Sequence, residues 1–175
     1  MFKVGYVHTM SLALHRPPSH IFALIIGINK YESPDIPNLV GAVPDADAVQ
    51  YYLQKHLGVP SSQIRNLRNS EATRAAIIDG IEAFSLNDKI EEGDPILIYY
   101  AGHGGSADTP KGWEVGSTGK IELLIPYDCS PLALEDDNPK HGIPDCTLED
   151  LLSQLAIEKG NNIVRQTFIL RGLVR

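Results

Sequence analysis

Apolar positions along the chain follow two rhythms. "IFALIIG", Ile21 to Gly27, is an unbroken apolar run rich in β-branched residues, and a run that short suits a strand covered on both faces. In "VPDADAVQYYLQKHLGV" the spacing changes to steps of three and four at Ala46, Val49, Leu53 and Leu57, with Pro44 near the start and Gly58 beyond the end. That is an amphipathic helix with its usual punctuation. "SQIRNLR" reads as a second short strand and "TRAAIIDGIEAF" as a second helix, N-capped by Thr73, with Ile77, Ile78, Ile81 and Phe84 on one face and Gly80 as its weak position. Glu92-Gly93-Asp94 then opens a third strand, Pro95 to Ala101. Strand and helix alternate, which predicts a parallel sheet with helices on its faces.

The second half is less regular. "GHGGSADTPKGWEVGSTGK", Gly102 to Lys120, is short of aliphatic residues and reads as one long surface loop. "IELLIPYD" comes next as a strand, expected to run parallel to the one before it, and "CSPLALEDDNPKHGIPDC" as a second long loop. Thr147 with Asp150 three residues on resembles a capping box, which predicts a helix starting there, with Leu151, Leu152 and Leu155 as its apolar face and Gly160 at its end. A last strand is expected over Ile163 to Leu170. The chain carries no internal repeat.

With 175 residues, 43% of them apolar, the chain is long enough for one domain with a real core. The expected division is a loose N-terminal arm over residues 1–20 and a single domain over 21–175. A net charge of -7 without any dense Lys/Arg cluster argues against nucleic acid as a partner. Two cysteines, Cys129 and Cys146, are too few for a disulfide framework and are not spaced as a zinc or CxxC pair, so they read as reduced thiols of a cytoplasmic protein. No apolar stretch reaches the length of a membrane span, and no membrane partner is expected.

"ILIYYAGHGGS" carries the candidate chemistry. His103 stands just past the C-terminal end of a strand, where ligands and catalytic groups gather in parallel α/β sheets. Glycines at 102, 104 and 105 remove bulk around the imidazole, and the Gly104 N–H is placed to meet a developing oxyanion. The plain alternative is a glycine-rich turn that happens to contain a histidine. The other histidines, at 8, 15, 20, 56 and 141, have no comparable setting, and His56 reads as a helix C-terminal residue. A dinucleotide loop would open directly into a helix, but this one runs into Pro110 and Gly112. A serine elbow is only weakly matched by "VGSTG" around Ser117, and no second histidine stands at metal-ligand spacing from His103. A thiolate on a neighbouring strand would make His103 part of a cysteine peptidase.

The segments "FALIIGINKY", "LVGAVPDADAV", "ILIYYAGHG" and "LLIPYDC", in this order, resemble the large-subunit region of the caspase-like peptidases, nearest to metacaspase-like proteins. The resemblance covers about Phe22 to Leu170. It implies a three-layer α/β/α sandwich with a mostly parallel sheet and a cysteine endopeptidase acting on protein or peptide substrates through a Cys-His dyad. His103 aligns with the catalytic histidine and Gly104 with the oxyanion-hole glycine. The resemblance also allows substrate binding by Asp128 as part of an acidic pocket, and a calcium site among Asp128, Glu135, Asp136, Asp137 and Asp145. An acidic solvated loop is the simpler reading of those residues. Caspases prefer Asp and metacaspases Arg or Lys before the cleaved bond.

One element departs from the pattern. Where the family's next strand ends in Asp-Cys, this chain reads "TFILRGLVR", with Arg171 and Gly172 in those places, so the nucleophile is absent. Cys129 comes just after a strand and is a possible but displaced substitute; Cys146 precedes a helix. The two expectations are a shortened active peptidase or a pseudopeptidase that binds or regulates a related peptidase, inactive in either case as written. A sheet cut short on its C-terminal side leaves an exposed edge, from which low stability, homodimerisation or aggregation is expected.

Overall fold

The computed structural model describes residues 19–108, 120–130 and 141–169. Most of the expected N-terminal arm, the segment around Ser117, the acidic stretch Glu135 to Asp137, and Arg171 with Gly172 lie outside the described residues.

Four parallel strands form the main sheet in the order β2-β1-β3-β7: β1 is Phe22–Gly27, β2 Ile64–Arg68, β3 Ile96–Gly102 and β7 Ile163–Ile169. Between them run α1 (Ala42–Lys55), α2 (Arg74–Ser85) and α3 (Asp145–Lys159). Side chains alternate along a strand, so the two faces of β1 separate cleanly. Ala23 and Ile25 pack with Ala42, Ala46 and Leu53 of α1, whereas Phe22, Leu24 and Ile26 pack with Ile77, Ile81 and Phe84 of α2 and Leu148 and Leu155 of α3. The result is the expected three-layer α/β/α sandwich. Every residue of β1 is buried, which accounts for its unbroken apolar run.

The helices start and stop for identifiable reasons. Thr73 caps α2 by accepting the Ala76 N–H at 3.2 Å, and Asp128 from a distant loop accepts the Arg74 N–H at 2.8 Å. Gly80 lets α2 approach β1, since a Cβ there would stand 3.0 Å from Leu24 Cδ2. His56 is the C-cap of α1, its N–H donating to Tyr52 O. At α3 the expectation needs correcting: the helix begins at Asp145, and Thr147 lies within its first turn. Pro144, extended with ψ 147, ends the preceding strand and feeds the helix directly, and Asp145 takes the Cys146 N–H at 2.9 Å.

The segment after β3 also differs from expectation. Gly104–Asp108 is a strand, β4, rather than loop, and it pairs antiparallel with β5 (Lys120–Leu124), which pairs in turn with β6 (Ile143–Pro144). "IELLIPYD" therefore belongs to a separate antiparallel sheet and not beside β3 in the parallel one. A parallel neighbour needs a crossover, usually helical; the chain instead doubles back on the strand directly after β3.

β7 differs from its sheet partners. Among the described residues no strand pairs with its outer side, Val164 is 56% exposed, and Arg165 and Gln166 are exposed too. An open groove of about 460 Å³ runs beside it, lined in part by Leu152, Ala156, Ile163 and Arg165. No helix among the described residues is long and apolar enough to cross a membrane.

Candidate functional site

β3 delivers His103 to the C-terminal end of the parallel sheet, and the chain bends there into β4. Opposite it lies the segment 28–41 that links β1 to α1. This segment is pinned at several points. Ile28 N donates to Ala101 O, extending the β1–β3 pairing by one residue, and Leu39 N donates back to Asn29 O at 2.7 Å. Asn29 Oδ1 accepts the Val43 N–H at 3.1 Å and so serves one of α1's unpaired first-turn donors. Asn69 Oδ1 accepts two consecutive donors, Asn29 N at 2.9 Å and Lys30 N at 3.0 Å. Asn69 does this from a left-handed backbone, φ 47, a conformation asparagine tolerates better than most residues.

The pinned segment presents two groups to His103. The imidazole Nε2 lies 2.8 Å from Pro37 O, and the His103 N–H donates to the Tyr31 hydroxyl at 2.8 Å. A carbonyl oxygen only accepts, so Nε2 carries the proton in this contact. The neutral ring then has its basic lone pair on Nδ1. The Tyr31 ring packs against the imidazole at 5.1 Å between centroids, and His103 has no solvent-exposed surface.

The backbone past the histidine is set by the ladder. Ile125 N donates to His103 O at 3.1 Å, and Gly104 pairs with Leu124 and Gly105 with Leu123. Hydrogen-bonded and non-bonded pairs alternate in an antiparallel ladder, so this bond makes Gly104–Leu124 a non-bonded pair and turns the Gly104 N–H away from β5. That is the orientation an oxyanion donor needs.

Gly102 has a different use from the one expected. A Cβ there would stand 2.6 Å from Tyr100 Oη and 3.1 Å from Tyr31 Oη, so the glycine makes room for two phenols rather than for the imidazole. Burial raises the pKa of both phenols, that of Tyr31 to about 12 and that of Tyr100 well above the usual tyrosine range.

The remaining expected residues are more scattered. Asp128 sits at the N-terminus of α2, where its negative charge is favourably placed against the helix dipole. Cys129 is buried in the core cluster with Tyr31 and Tyr100; burial first, then the charge of Asp128, pushes its thiol up to about 11. It comes after an antiparallel strand, not a parallel one on the rim of His103, and its surroundings oppose thiolate formation. Cys146 is half-buried in the first turn of α3. Among the described residues no group of three or more His, Cys, Asp or Glu side chains is arranged to hold a metal ion, calcium included. Pro37, Tyr31 and Asn69 escaped the sequence reading. Pro37 acts through a backbone carbonyl 66 residues from His103, and no side-chain pattern could announce it.

β7 lies directly beside β3, with Gly102 opposite Ile169. A nucleophile just past that strand would therefore reach the histidine's neighbourhood, and the sequence there continues Leu170-Arg171-Gly172.

Residues 20–158 match the family model described as Caspase domain, peptidase C14. The match ends before β7. Among solved structures the chain is similar to protein GSU0716 from Geobacter sulfurreducens, at 20% identity and a TM-score of 0.61. The similarity covers 87% of this chain and 50% of that one, so this chain spans about half its length and shares its fold. No curated protein matches the chain.

Proposed function

Because the chain belongs to the caspase-domain family, we propose that it carries the acid-base half of a cysteine endopeptidase site and lacks the nucleophilic half. The observation that supports this most is the contact between His103 Nε2 and Pro37 O, which leaves Nδ1 as the base for a thiol on the neighbouring strand. In such a site Nδ1 takes the thiol proton, the thiolate attacks the peptide carbonyl, and the Gly104 N–H stabilises the tetrahedral oxyanion. The protonated imidazole then gives its proton to the leaving amine. In this chain the cycle stops at its first step. Arg171 and Gly172 stand where Asp and Cys belong, Cys129 is buried and weakly acidic, and His103 itself is closed to solvent.

Asp128 is proposed as a support of the α2 N-terminus first; a role at the edge of a substrate pocket is secondary. The second reading, a non-catalytic module that binds a related peptidase or a second copy, is supported by the outer side of β7, with which no strand pairs among the described residues.

Turnover of fluorogenic peptides ending in Asp, Arg or Lys, compared between the chain and His103→Ala, tests the proposal. No turnover is expected from either. Hydrolysis by the chain that disappears in His103→Ala would refute the inactive reading.

A further inference from the structure

Two buried tyrosines hydrogen-bond the peptide groups of the histidine itself. The His103 N–H donates to Tyr31 Oη at 2.8 Å. Both hydroxyls border Gly102, where a Cβ would stand 2.6 Å from Tyr100 Oη and 3.1 Å from Tyr31 Oη. Tyr100 Oη lies 2.8 Å from His103 O and 2.8 Å from Ile125 O. The directions are fixed by the number of protons present: carbonyls only accept, so the Tyr100 hydroxyl proton is shared between those two oxygens. Tyr31 Oη accepts from the His103 N–H.

The two phenols replace an ordinary ladder bond. Since Ile125 N already donates to His103 O, a regular antiparallel pair would return a bond from His103 N to Ile125 O. Both of those groups are taken by phenols instead. The sequence accommodates the exchange at Gly102, where any side chain would collide with both hydroxyls. Tyr31 and Pro37 belong to the same pinned segment, so one segment grips the histidine twice, at its backbone N–H and at its Nε2.

We propose that Tyr31 is a positioning residue for His103: its hydroxyl ties the histidine's peptide to the segment carrying Pro37 and thereby fixes the Nε2–H tautomer with Nδ1 as the base. This rests on the reading of His103 as the acid-base residue. A ring that merely filled the core would do so equally well without its hydroxyl.

The test compares the full chain with Tyr31→Phe, which keeps the ring and loses the acceptor; Tyr51→Phe, at an exposed position on α1, is the control. Long-range proton–nitrogen NMR reads the imidazole tautomer, and hydrogen exchange reads the His103 amide. The expected result is Nε2–H in the wild type and the control. In Tyr31→Phe a mixture of tautomers and exchange of the His103 amide at least tenfold faster are expected. A folded Tyr31→Phe protein with unchanged tautomer and unchanged exchange overturns the proposal alone. A wild-type ring protonated at Nδ1 overturns the acid-base reading and this proposal with it. Should Tyr31→Phe not fold, 3-fluorotyrosine at position 31, a weaker acceptor, is expected to shift the His103 amide resonance, and no shift overturns the proposal.

Discussion

β1 and β7 belong to the same parallel sheet and bound the site from different sides, yet they are built from different chemistry. Every residue of β1 is buried, and the segment after it is held by Asn29 and Asn69 against His103. β7 carries Arg165 and Gln166, exposes over half of Val164, and pairs on one side among the described residues. His103 thus follows an interior strand of the sheet, whereas among the described residues β7 pairs on one side only. Two contacts of His103, at its amide and at Nε2, come from the segment after β1, through Tyr31 and Pro37.

The largest effect expected from this contrast is on stability. Leu24→Ala, on a fully buried side chain between β1 and α2, is expected to cost about 2–5 kcal/mol by urea unfolding, whereas Val164→Ala should stay within about 0.5 kcal/mol. Equal losses at the two positions would break the contrast. Gly102→Ala comes next, at about 1–3 kcal/mol, because Tyr100 is enclosed and cannot move away from a new methyl. Asn69→Ala removes the acceptor of two backbone donors and places alanine at positive φ, for an expected loss of about 1–2 kcal/mol.

The buried cluster also sets a pH dependence. The folded-state thiol of Cys129 is raised to about 11, above an unfolded value of about 8.5. Its contribution to stability is therefore full below about pH 8.5 and is lost as the pH rises through about 11, with Tyr31, raised to about 12, adding a later loss. Iodoacetamide at pH 8 is expected to label half-buried Cys146 at least about tenfold faster than Cys129, read by peptide mass spectrometry. Faster labelling of Cys129 would mark it as an activated thiol. The smallest expected effect is that of Val164→Lys, which leaves stability within about 0.5 kcal/mol and suppresses any self-association through the β7 edge, measured by light scattering.

How much of the molecule was legible depended on whether a residue acts locally. The β1 run, the α1 and α2 faces, the Thr73 cap and the His103–Gly104 motif depend on neighbours in sequence, and the layered fold depends on their order. β4 was not legible: Gly104-Gly105-Ser106-Ala107-Asp108 has little strand propensity, and pairing with β5 imposes its conformation. Tyr31, 72 residues from its histidine partner, was not legible either. Its meaning exists only once the fold brings the 28–41 segment over the end of β3. Thr147 misled because Pro144 and Asp145, just before it, are also good helix-opening residues and come first in the chain.

The most direct test of the half-built site restores what is missing. The variant carrying both Arg171→Asp and Gly172→Cys, treated with a peptidyl acyloxymethyl ketone that alkylates activated thiols, is measured beside the same variant carrying His103→Ala. The account predicts alkylation of the new cysteine that falls at least about tenfold when His103 is removed. Alkylation at the same rate with and without His103 would contradict it.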